Sequence, residues 1–171
     1  LASMSMELMS MKYWDSYFAD NSELKRAQLK HIEDVIKGLP WIATVDAFQH
    51  WLYLNPTHTR LERRAAWKET YSRFSGKAVN WDGLEEAKEN LWQKQLHIYE
   101  VPFYYIEYGF AQLGAIAMWK NFSNDESATL QKYLEALALG YTKPIGEIYK
   151  TAGIEFDFSE GYVKSLADFL E

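Results

Sequence analysis

One imidazole and four phenols stand close together between His97 and Gly114, where the chain reads HIYEVPFYYIEYGFAQLG. His97 is followed by Tyr99, Tyr104, Tyr105 and Tyr108 within about three helical turns. A buried tyrosine needs a partner for its hydroxyl, so this density of phenols implies a polar cleft wall or a good supply of backbone carbonyls. The cleft wall is the functional reading. The competing one is a core helix whose tyrosines only pack, because aromatic stripes at helical spacing usually serve the interior.

Pro102 sets the local geometry that this chemistry needs. It lacks a backbone donor and pushes Val101 out of the α region, which predicts a helix ending near Tyr99 and a new one starting at Pro102. His97 then falls at a helix C-terminus beside the break. Counted from Phe103, Tyr104 and Tyr108 share a face at i, i+4, with Tyr105 turned about 100° away. The small residues Gly109, Ala111, Gly114, Ala115 and Ala117 then predict a buried helix closely approached by another.

Other chemistries find little support. The histidines are His31, His50, His58 and His97, and no pair forms the H-E-x-x-H zinc motif. There is no G-x-S-x-G elbow and no phosphate-binding glycine loop. With no cysteine, disulfides and thiolate sites are excluded, which fits a cytoplasmic protein. A net charge of −6 and scattered basic residues argue against nucleic acid, and Arg60, Arg63, Arg64 and Lys68 read as a solvated helix face. No stretch reaches the roughly 18 uninterrupted apolar residues of a membrane span. The apolar fraction of 48% over 171 residues gives one domain with a sizeable core.

In chain order, the first helix is expected over residues 1–18, already periodic at Leu1, so that the chain begins inside an element and reads as a piece of a longer protein. Ser22 should cap a helix over 23–37 with Leu24, Leu29, Ile32 and Ile36 inward, closed by Gly38. Pro40 should open a third, with Val45, Phe48 and Leu52 buried and His50 at a core or helix interface. A charged fourth helix is expected from Thr57 to Phe74, with His58 and Arg60 in its solvent-facing first turn. Asp82 should cap a helix over 84–97, a polar loop should cover 121–125, and helices should follow over 127–139 and 144–153. Ser159 should cap the last. The fold class is all-α, a helical bundle-like lobe of about eight helices in a single domain over 1–171.

Three segments carry a resemblance: LASMSMELMSMKYW at the start, HIYEVPFYYIEYGFAQLG, and GYTKPIGEIYKTAGIEFDFS from Gly140 to Ser159. Together, and in this order, they resemble the C-terminal part of the oligoendopeptidase F branch of the M3 zinc metallopeptidases. The resemblance implies a helical lobe of a cytoplasmic hydrolase that cuts short peptides. The two zinc histidines and a glutamate general base would lie in a missing N-terminal catalytic lobe, and the third zinc ligand immediately before Leu1. Glu7, with Ser3 at the family's spacing, would be a carboxylate supporting the metal ligands from behind. His97 would hydrogen-bond the peptide backbone near the scissile bond. Tyr104 and Tyr108 would donate to the substrate or to the developing oxyanion, with Tyr105 a third donor and Tyr99 included by proximity. His97 and Tyr108 are the implied catalytic pair.

This chain would then bind no zinc itself and be inactive alone, and a lone piece exposing the face that meets its other lobe predicts self-association. A non-catalytic helical peptide-binding or interaction module, and a plain helical scaffold, stay open on the residues alone.

Overall fold

The computed structural model describes residues 1–171 and contains helices without strands. Its elements are α1 (Ala2–Ser10), a 3-10 segment (Met11–Ser16), α2 (Asn21–Leu54), α3 (Arg60–Phe74), α4 (Glu85–Asn90) and a second 3-10 segment (Leu91–Lys94). There follow α5 (His97–Glu100), α6 (Ile106–Asn124), α7 (Glu126–Leu139), α8 (Ile145–Thr151) and α9 (Glu160–Leu170). The all-α expectation holds, with nine α-helices where about eight were expected. The chain forms two compact units, one of Leu1–Glu33 with Phe110–Glu171 and one of Asp34–Gly109, so α2 and α6 supply residues to both.

In the first unit Leu8 and Met9 of α1 and Ala115 to Met118 of α6 are buried. Gly114 lets Tyr149 of α8 approach: a Cβ there would lie 2.9 Å from the tyrosine ring and 2.8 Å from Leu1. The Tyr149 hydroxyl donates to the Phe110 carbonyl at 3.1 Å, which fixes the ring in place. Asp125 caps α7 by accepting from the Ala128 N–H, and Ser159 caps α9. The first helix stops at Ser10 instead of Phe18, tightening into a 3-10 turn in which the Trp14 indole donates to Ser10 Oγ at 3.2 Å.

The second unit is built on Phe48, Ala66, Trp67 and Trp92, with Trp41, Trp51, Tyr71 and Ile98 packed against them. Trp67 meets Phe48 edge-on at 5.1 Å, and its indole N–H donates to the Lys88 carbonyl at 2.9 Å, tying α3 to α4. Thr59 and Glu62 form a reciprocal capping box, so α3 begins at Arg60 and not at Thr57.

The break expected at Gly38 and Pro40 is absent, and α2 runs through both. A proline inside a helix costs about 3 kcal/mol, whereas burying Ile42, Val45 and Phe48 beyond it contributes about 1.5–3 kcal/mol each. Packing therefore outweighs the proline. Asp20, not Ser22, caps this helix, accepting from the N–H groups of Ser22 and Glu23 at 2.7 and 3.0 Å. Leu29 and Ile36, expected inward, are exposed. His50 is also exposed, pairing with Asp46 at 3.5 Å.

Candidate functional site

The helix expected over 84–97 is broken into pieces, and that is what brings its histidine to the tyrosines. Gln95 takes an extended conformation (φ −92°, ψ 93°) after the 3-10 segment, so His97 opens the one-turn α5 and does not close a long helix. Pro102 does not start a helix either. The Tyr104 N–H donates to the Val101 carbonyl at 3.2 Å, making a β-turn with Pro102 second and Phe103 third. Proline in the second place and a positive φ in the third, here +58° at Phe103, are the marks of a type II turn. Proline's fixed φ serves this turn as well as a helix start, so its presence alone did not decide between them. The Phe103 ring packs on His50 and Tyr53 at 4.8 and 4.9 Å, holding a backbone conformation that side chains other than glycine's resist.

The turn lays Tyr104 and Tyr105 over His97, and Tyr108 reaches it from the first turn of α6. The Tyr104 ring stacks parallel to the imidazole at 6.2 Å, while Tyr105 and Tyr108 meet it edge-on at 4.9 and 5.6 Å. Tyr108 in turn touches Tyr104 at 5.8 Å and Tyr105 at 5.3 Å. His97 Nε2 lies 3.3 Å from the Tyr108 hydroxyl, and Nδ1 lies 2.7 Å from Gln95 Nε2. The other end of the Gln95 amide accepts from the Trp41 indole N–H at 3.0 Å. Burial pushes the Tyr105 hydroxyl above its usual range, with the Trp41 indole opposing. Tyr104 is 49% exposed, so the cluster opens to solvent on that side. The arrangement offers phenol hydroxyls to an acceptor arriving from outside, while both imidazole nitrogens face groups of this chain.

Four of the expected residues thus come together: His97, Tyr104, Tyr105 and Tyr108. Tyr99 is placed elsewhere, stacked on Trp92 at 5.7 Å and lining a cavity of about 340 Å³ with Arg60, Arg63, Arg64, Asn90 and Gln93. Burial raises its hydroxyl against the pull of Arg63. The basic cluster expected to be solvated is partly engaged, since Arg63 lies over the Trp92 ring at 5.6 Å and Lys68 binds Glu89 at 2.8 Å. His58, expected to face solvent, accepts from Arg63 Nε at 2.9 Å. Glu7 belongs to the other unit, exposed on α1 beside buried Leu8. Gln95 and Trp41 were not foreseen; the signal for Gln95 was an amide two residues before a histidine at a helix break, which spacing rules do not score.

The zinc implied by the resemblance does not fit the residues present. No three His, Asp or Glu side chains converge on a common point. Each histidine has other neighbours: Trp14 for His31, Asp46 for His50, Arg63 for His58 and the tyrosines for His97.

The profile of peptidase family M3 matches residues 1–168. The chain belongs to peptidase family M3. Solved structures agree in sequence and fold with this M3 chain. A protein described as an oligoendopeptidase F is 33% identical with a TM-score of 0.84, covering 98% of this chain and 29% of the other. PZ peptidase A, solved with an inhibitor, is 32% identical with a TM-score of 0.83, covering 98% and 30%. A protein from Bacillus anthracis described as an oligoendopeptidase F is 26% identical with a TM-score of 0.75, covering 98% and 27%. The M3 chain therefore spans less than a third of each of these structures. No protein of curated function matches it. No helix is long and apolar enough to cross a membrane.

Proposed function

We propose that this M3 chain is the substrate-binding C-terminal part of a zinc-dependent oligoendopeptidase that hydrolyses short peptides. The observation that carries the proposal is the gathering of three tyrosine rings around His97, two from the turn region and one from α6, with Tyr104 half exposed and the Tyr108 hydroxyl 3.3 Å from the imidazole. A peptide presents carbonyl acceptors, and the tetrahedral state of its hydrolysis presents an oxyanion. Hydroxyl donors held in place before reaction are what stabilises that charge. Tyr108 is assigned to the oxyanion and the exposed Tyr104 to the substrate backbone, with Tyr105 a further donor and His97 orienting Tyr108. Zinc would be held by ligands in an N-terminal catalytic lobe and would supply Lewis acidity there, and no residue of this chain is assigned to it. The proposal places the enzyme in the cytoplasm, which the lack of cysteines supports.

The test is hydrolysis of short peptides with added zinc by two samples, this 171-residue chain and the protein of its complete reading frame. Activity in the longer protein alone is expected. Activity in neither, in a reading frame without an upstream H-E-x-x-H, would contradict the proposal, as would activity in the 171-residue chain itself.

A further inference from the structure

We propose that Gln95, anchored by Trp41, is a positioning residue that fixes which nitrogen of His97 carries the proton and so frees the Tyr108 hydroxyl to donate outward. The inference rests on the role given to Tyr108 above, and it names the residues that make that role workable.

Trp41 fixes the direction of these hydrogen bonds, because an indole N–H can only donate. Trp41 is held on both sides, by the Lys94 ammonium 4.2 Å from its ring centre and by Trp67 at 5.7 Å in an edge contact. The Gln95 atom 3.0 Å from this N–H must therefore be the amide oxygen. With the oxygen committed, the atom 2.7 Å from His97 is the NH₂ group, which also only donates. His97 Nδ1 is then the bare nitrogen, and in the neutral ring the proton sits on Nε2. That N–H points at the Tyr108 hydroxyl oxygen 3.3 Å away. The phenol oxygen accepts, and its own proton is left to rotate toward another acceptor.

The opposite tautomer would reverse the last link. A bare Nε2 would take the Tyr108 proton, and the hydroxyl would present only lone pairs to an incoming carbonyl oxygen. Since a peptide carbonyl or oxyanion needs a donor, only the arrangement set by Gln95 serves. The links Trp41, Gln95, His97 and Tyr108 all donate in one direction. Each comes from a separate segment, α2, the extended residue after the 3-10 turn, α5 and α6. The break at Gln95 that the helical periodicity did not predict is the point where this line of donors crosses from one element to the next.

Gln95→Glu is the decisive variant because it keeps the shape and removes the donor. One carboxylate oxygen still accepts from Trp41, while the other now accepts from Nδ1–H, so the ring proton moves and Tyr108 donates inward. The tautomer is read from long-range proton–nitrogen NMR of the histidine-labelled chain at alkaline pH, where the rings are neutral, with His97→Gln assigning the signals. The parent should show a protonated Nε2 at His97, and Gln95→Glu a protonated Nδ1, with circular dichroism unchanged. In the complete enzyme Gln95→Glu should lower kcat with KM little changed. The loss should not exceed the roughly 10²–10³-fold cost of removing an oxyanion donor, and it should vanish in a Tyr108→Phe background. A parent ring protonated on Nδ1, or a tautomer unmoved by Gln95→Glu, would overturn the inference alone. A tautomer that moves while Gln95→Glu and Tyr108→Phe both keep the parent rate would overturn the role of Tyr108, and the inference with it.

Discussion

Glu89 is held below the ordinary carboxylate range chiefly by the hydrogen bond from Lys68, whose Nζ lies 2.8 Å away. A carboxyl whose folded pKa is lowered contributes stability above its unfolded value, and that stability is lost as pH falls through the folded value. Glu89→Gln should therefore lower Tm modestly at neutral pH, with the difference from the parent shrinking as pH falls through the folded value, so that the acid side of a plot of Tm against pH is flatter. Equal acid sensitivity in both proteins would contradict this. Gly114 is the second residue on which a sharp expectation rests. A methyl there would meet the Tyr149 ring at 2.9 Å, and that ring is pinned by its bond to the Phe110 carbonyl. Gly114→Ala should cost about 1–3 kcal/mol by chemical denaturation, as overpacking does. An unchanged midpoint would show that the tyrosine gives way. The small-residue run was legible from Gly109 to Ala117 because size alone governs close approach. His50 was not, because its exposure depends on which side of α2 the aromatic core of Phe48, Trp67 and Trp92 forms.

At the scale of elements, proline is where local rules and the structure part. Pro40 should have started a helix and instead lies inside one, because the buried residues after it outweigh the lost hydrogen bond. Pro102 should have started one too and takes the second place of a turn, because Phe103 can hold a positive φ against His50 and Tyr53. Caps were read well where they lay in single polar residues, as at Ser159, and less well where an aspartate two residues earlier competed, as Asp20 does with Ser22. The meeting of His97 with Tyr104, Tyr105 and Tyr108 was visible as proximity in sequence. Its geometry was not, because it follows from two breaks, at Gln95 and at the 101–104 turn, rather than from one helical face. Phe103 tests the turn directly. Phe103→Ala removes the ring and keeps the backbone strain, whereas Phe103→Gly removes both, so the glycine variant should be the more stable of the two by about 1 kcal/mol. Equal stabilities would mean that the positive φ is not retained.

Over the whole molecule, membership in family M3 and the helical architecture are consistent with the resemblance carried by the three sequence segments. The chain spans only 27–30% of the solved relatives. Exposed Leu29, Leu54 and Leu61 are of the kind that associate. The isolated chain is expected to self-associate in light scattering at high concentration, and a clean monomer would contradict that. The central claim, that the tyrosines around His97 meet a peptide during its hydrolysis, is tested most directly by one ratio. It is kcat/KM for a short peptide in the complete enzyme carrying Tyr108→Phe, divided by that of the parent, with both proteins equally folded. A fall of about 10²–10³-fold is expected for the loss of one oxyanion donor. A ratio within a few-fold of unity would make the tyrosine cluster a packing feature and contradict the account.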